Sequence, residues 1–125
     1  SSESLALLDA ITALQPVIRE HELETERGRR IPQELIDRLR AAGAYRMLVP
    51  RELGGLEVDP LTYLRAVEIA AEADGSTGWN ICNNGIGSYI YYLYTEYSFI
   101  CYNRIICNKC NGNYASRNSF IINTI

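Results

Sequence analysis

Few residues in this chain are of types that could do chemistry, and their spacing decides what each could do. Cys107 and Cys110 form a Cys-x-x-Cys pair, with Cys101 shortly before it and Cys82 far upstream. Four thiolates could in principle hold zinc, but such sites show two close pairs, or one pair with two spaced histidines. Here there is one pair, and the single histidine, His21, sits near the opposite end of the chain. A redox Cys-x-x-Cys follows a strand and opens a helix, whereas Asn111-Gly112-Asn113 reads as a turn. No metal site is therefore expected. His21 lies within the charged run REHELETERGRR (residues 19–30) and is expected to be a solvated surface residue. That removes any Ser/His/Asp or Cys/His nucleophile set. Gly85 and Gly87 make a GxG with neither a third glycine nor a preceding strand, so no phosphate loop is expected.

The elements that position these residues are helical. Leu7, Ile11, Leu14 and Ile18 recur at helical spacing, predicting an amphipathic helix from about Ser4, its N-cap, to Glu24. Pro16 falls inside it and predicts a kink or a split into two pieces. A second helix is predicted to open at Pro32 and bury Leu35, Ile36, Leu39 and Ala42, with Gly43 as its left-handed stop. Met47-Leu48-Val49-Pro50 is a short apolar connector, and Gly54-Gly55 marks a tight turn requiring positive φ. A third helix is predicted from Asp59-Pro60, with Leu61, Leu64, Val67 and Ala71 inward and Arg65, Glu68 and Glu72 outward, ending at Asp74-Gly75. Ser76 is then the expected cap of a fourth, with Thr77, Gly78 and Trp79 in its first turn. The expected fold of residues 4–84 is all-α, an antiparallel helical bundle of three to four helices. Its free faces make it marginal and sticky.

Composition changes near residue 82. All four Pro and nine of the eleven Arg precede it, while seven of the nine Tyr, eight of the nine Asn, both Phe and the only Lys follow. Ala, Arg, Gly and Pro use GC-rich codons, and Asn, Tyr, Ile, Lys and Phe use AT-rich ones. The shift predicts two parts: a helical domain over 1–84 and a compositionally foreign, irregular tail over 85–125, partly disordered, of the kind a frameshift or gene fusion produces. Tyr89 to Tyr102 suits a strand or a loosely packed helix, and periodicity does not choose. The net charge of −3 and the absence of a basic face argue against nucleic acid. With neither a secretory signal nor a long apolar run, a cytoplasmic protein without a membrane partner is expected.

Three stretches stand in a suggestive order: the helix opening at Ile31-Pro32, then Leu48-Val49-Pro50-Arg51-Glu52-Leu53-Gly54-Gly55, then Asp74-Gly75-Ser76-Thr77-Gly78-Trp79. Together they resemble the N-terminal helical domain of the acyl-CoA dehydrogenase superfamily, over residues of about 4–82. The last piece is also similar to the related flavin-dependent monooxygenases that work with a separate flavin reductase. Beyond Asn84 the family would continue with Gly-rich apolar helix, and Tyr-rich sequence appears instead. The resemblance implies a parent oxidoreductase using FAD, or FMN, and acting on the CH–CH bonds of acyl-CoA thioesters. It implies a small-molecule substrate, a homo-oligomer, and an electron-transfer flavoprotein or a flavin reductase as partner. The family's catalytic base and most flavin contacts have no counterpart here. No catalytic or cofactor-binding residue is therefore carried over, and a fragment inactive alone is expected. Ser76, Thr77 and Trp79 are the candidates for a substrate-pocket edge, because a helix start with free N–H groups can face a polar ligand. The competing readings are Ser76 as a cap and Trp79 as a core or interface aromatic. The alternative functions are a fragment of a two-component flavin-dependent monooxygenase and a non-enzymatic helical interaction module.

Overall fold

A computed structural model describes the backbone of residues 1–105 and the side chains of residues 1–90. It contains five helices and one 3-10 turn: α1 (Ser2–Glu20), α2 (Glu22–Gly28), α3 (Gln33–Ala41), the turn Arg51–Leu53, α4 (Pro60–Ala73) and α5 (Gly75–Ile105). The all-α expectation holds, with no strand among the described residues. α4 is the central element, packed between α1 and α5, and α3 closes against α1.

α1 buries Leu7, Ile11 and Ile18, with Leu14 partly covered. Its cap is Ser1, whose side chain accepts from the Ser4 backbone N–H at 3.2 Å, while Ser4 itself is buried inside the first turn. The helix runs through Pro16 and breaks instead at His21. Proline there removes one backbone N–H, on the exposed side of the helix. α2 occupies most of the charged run and ends at Arg29, left-handed at φ 51°. Arg30 lies beyond this reversal, so Glu26 and Arg30 do not stand one helical turn apart.

α3 buries Leu35 and Leu39, and Gly43 at φ 89° reverses the chain after it, as expected. The connector then folds back on itself. Leu56 N–H bonds Arg46 O, Glu57 N–H bonds Val49 O and Val58 N–H bonds Met47 O, which holds Met47 and Val49 in the core. The two glycines of its turn serve different ends. Gly54 has φ 81°, as predicted, whereas Gly55 does not have positive φ and is needed because a Cβ there would lie 1.9 Å from the Val49 carbonyl oxygen.

α4 starts as expected. The Asp59 carboxylate accepts from the Thr62 N–H at 3.0 Å and the Thr62 hydroxyl at 2.6 Å, and Pro60 follows in the first turn. These bonds hold the Asp59 carboxyl below its ordinary pKa. The buried face is not the predicted one. Tyr63, Ala66, Ile69, Ala70 and Ala73 point inward, while Leu61 and Leu64 are 76% and 60% exposed, Val67 is half-buried and Ala71 is exposed. A helix packed on two sides needs small residues where its neighbours approach, so the alanines go inside and the leucines stay out. Arg65 and Glu68 pair on the surface, as expected, and Glu72 accepts a hydrogen bond from Gln15.

The α4–α5 junction also departs from expectation. Asp74, not Ser76, caps α5: its Oδ2 accepts from the Thr77 N–H at 2.8 Å and the Thr77 hydroxyl at 2.7 Å. Helical spacing from Thr77 then turns Ile81, Gly85 and Ser88 into the core seam. Replacing Asp74 by alanine should destabilise the chain by about 1–2 kcal/mol, with Ser76→Ala close to neutral, as read by urea unfolding. The reverse ranking would restore the cap to Ser76.

α5 crosses residue 84 without interruption and reaches Ile105, so residues 89–102 have helical backbone. The Cys107-x-x-Cys110 pair lies outside the described residues. No helix among those described is long and apolar enough to cross a membrane.

Candidate functional site

The cap at Asp74 sets the phase of α5. With Thr77 and Ile81 turned inward, Ser76, Trp79, Asn80 and Asn83 come to a different side. They form one wall of an open groove of about 1080 Å³. The other wall is α2 and the segment leading into α3, including His21, Thr25, Arg29, Arg30 and Glu34.

Two of the three predicted residues thus share the groove. Ser76 and Trp79 line it, and Trp79 is 68% exposed rather than a core aromatic. Thr77 stands apart, fully buried with both polar groups committed to Asp74.

The amides of the α5 wall are held in place. The Tyr45 hydroxyl donates to Asn80 Oδ1 at 2.7 Å, which leaves the Asn80 amide N–H groups as donors. Asn84 Nδ2 donates to the Asn80 backbone carbonyl at 2.8 Å, which leaves its side-chain carbonyl as an acceptor. Burial pushes the Tyr45 phenol up to about 12, against a smaller opposing effect of Arg40. Two residues further along α5, the Tyr63 hydroxyl donates to the Cys82 carbonyl at 2.7 Å, and Tyr63 is also raised, first by burial and then by its side-chain interaction with Cys82. Cys82 is half-buried and free.

His21 is not the solvated residue its charged surroundings suggested. It sits at the α1–α2 break, half-buried on the groove wall, with Nδ1 2.8 Å from Val17 O and Nε2 3.7 Å from a Glu34 carboxylate oxygen. Sequence reasoning missed His21, Tyr45 and Asn80. A signal existed for Asn80, which lies four residues after Ser76 on the same helical face. Neither His21 nor Tyr45 carried one, since both depend on where the chain breaks and turns.

In chemical terms the groove offers an exposed indole ring, fixed amide donors and acceptors, and an imidazole. That set suits one side of a planar ligand. Arg29 and Arg30 in its lining stand among Glu24, Glu26 and Glu34, a mixed charge set that makes no phosphate cradle, so the residues present do not fit a whole flavin nucleotide. No group of three or more potential metal ligands occurs among the described residues.

The family model described as acyl-CoA dehydrogenase, N-terminal domain, matches residues 3–97. The chain is 42% identical over 72 residues to the oxygenase subunit HsaA of a flavin-dependent monooxygenase from Rhodococcus jostii, 58% of this chain and 19% of that protein. It is 45% identical over 56 residues to an indole-3-acetate monooxygenase from Pseudomonas putida, 45% of this chain and 14% of that protein. It is 38% identical over 77 residues to the HsaA oxygenase subunit of Mycobacterium tuberculosis, 62% of this chain and 20% of that protein. The chain thus spans about a fifth or less of the length of these relatives. No solved structure matches it.

Proposed function

The chain belongs to the acyl-CoA dehydrogenase N-terminal domain family, and from that premise we propose that it supplies the N-terminal helices of a flavin-dependent monooxygenase of the oxygenase-subunit type. In this reading the remaining part of the enzyme holds the flavin, FAD by family expectation or FMN, and a separate reductase delivers it reduced. Bound reduced flavin supplies the electrons that activate dioxygen. The helices of this chain contribute one wall of the aromatic substrate's pocket through Ser76 and Trp79. Leu61 and Leu64 on α4, with Ile86 and Ile90 on α5, are the faces that the rest of the enzyme or a second copy covers.

The observation that carries this reading is the exposure of Trp79 on the groove wall, within a chain whose relatives above bear monooxygenase names. The acyl-CoA dehydrogenase reaction has less support, since none of those relatives is named for it. Its large thioester would also need the groove to continue beyond the described residues.

A chimera tests the proposal. Residues 1–84 of this chain would replace the corresponding stretch of the Rhodococcus jostii oxygenase subunit, assayed with reduced flavin and that enzyme's own substrate. Substrate-dependent dioxygen uptake is expected, and Trp79→Ala in the chimera should raise the substrate KM about tenfold, the loss of one stacked aromatic contact of about 1 kcal/mol or slightly more. A folded, flavin-loaded chimera with no substrate-dependent uptake would leave the helical interaction module as the better reading.

A further inference from the structure

The hydrogen bonding of His21 carries an inference about what the groove accepts. Its Nδ1 lies 2.8 Å from the Val17 carbonyl oxygen, which can only accept, so Nδ1 carries a proton. In the neutral ring Nε2 is then the bare acceptor, and no hydrogen bond reaches it among the described residues. Its neighbour at 3.7 Å is a Glu34 carboxylate oxygen, also an acceptor. Two acceptors so placed are completed by a donor lying between or beside them. The Thr25 hydroxyl is a further unpartnered polar group of the lining: the residue is 7% exposed, and its hydroxyl, which can donate or accept, has no hydrogen-bond partner.

The surroundings narrow the donor's chemistry. Arg29 and Arg30 on the same wall oppose a simple cation, while Glu24, Glu26 and Glu34 oppose a simple anion. The exposed Trp79 ring across the groove favours a flat aromatic body. We propose that His21 is the groove's specificity-determining acceptor, selecting a neutral planar aromatic ligand that carries an N–H or O–H donor. The donor hydrogen-bonds His21 Nε2, and the ring lies against Trp79. This rests on the groove being one wall of an aromatic pocket and adds the group that reads the ligand's donor.

The full chain has a single histidine, so nitrogen-15 labelling of histidine reports on His21 alone. The labelled chain at pH 7.5 would be titrated with indole and, separately, with 1-methylindole, which keeps the ring and lacks the donor. The expected result has three parts: a protonated Nδ1 with a bare Nε2 in the free chain, a shift of Nε2 with indole but not with 1-methylindole, and about tenfold tighter binding of indole. His21→Leu should erase that preference, whereas Trp79→Ala should weaken both compounds together. A ring protonated on both nitrogens and paired with Glu34 would overturn the proposal. Equal binding of the two indoles would also overturn it while leaving the aromatic pocket standing. Binding of neither, with an inactive chimera, would remove both.

Discussion

Gly78→Ala should lower the stability of the chain by about 2 kcal/mol, whereas Gly87→Ala, on the same helix, should raise it by about 0.5–1 kcal/mol. Alanine favours a helix interior over glycine, so propensity alone predicts a gain at both sites. Packing separates them. A Cβ at Gly78 would lie 2.5 Å from the Cβ of Ala71, 2.7 Å from its Cα and 2.9 Å from its backbone nitrogen. Two of those atoms are backbone, so no side-chain rotation relieves the clash and α4 and α5 must move apart. That displacement would disturb Ile81 and Ala70, both fully buried. A Cβ at Gly87 meets nothing within 4 Å. Gly55→Ala belongs with Gly78→Ala, because relief there requires Val49 to give up the bond between its carbonyl and Glu57 N–H. For a small domain whose whole stability is of order 5–10 kcal/mol, such losses show clearly as shifts in urea midpoint. Equal midpoints for Gly78→Ala and Gly87→Ala would mean that α4 and α5 are not this close.

The pattern of legibility follows from what each residue type encodes. Stops and starts set by local chemistry were readable: Gly43 and Gly54 at positive φ, and Asp59 with Pro60 opening α4. So was the stripe Leu7, Ile11 and Ile18 of α1, whose apolar side is unambiguous. The inward face of α4 was not, because two apolar stripes at helical spacing compete there. The leucine stripe is the more hydrophobic, and the alanine stripe wins because α4 is packed on both sides, a tertiary fact invisible along the chain. The cap of α5 was misplaced by two residues for a related reason. Asp74 and Ser76 are both good caps, and only the turn out of α4 selects the first. Within the groove, Trp79 and Ser76 were legible because they belong to one helical turn. His21 was not, since its place on the groove wall depends on α1 ending beside the start of α3.

Raising the pH should unfold the chain in a window set by its buried tyrosines. Tyr45 is 2% exposed, and its phenol is pushed from 10.0 up to about 12. Between those values the unfolded chain releases the proton and the folded chain keeps it, so stability falls as pH rises. Its contribution is fully present below about pH 10 and is lost on rising through about pH 12. The loss is of order 1.4 kcal/mol per pH unit, up to roughly 2–3 kcal/mol in all. Tyr63 is displaced in the same direction and adds to the fall. The two phenols anchor the same turn of α5, one through Asn80 and one through the Cys82 carbonyl. Their ionisation therefore strikes the helix that carries the groove's Trp79 wall. Tyr45→Phe gives up the bond to Asn80, lowering stability at pH 8 by about 1 kcal/mol, while flattening the decline above pH 10. Urea unfolding of both proteins from pH 8 to 12 would test this. Parallel curves would show that Tyr45 is not protected from ionisation by the fold. Crossing curves, with the variant less stable at pH 8 and the more stable near pH 12, would show that the buried phenol both fixes the Asn80 amide and sets the alkaline limit of the domain.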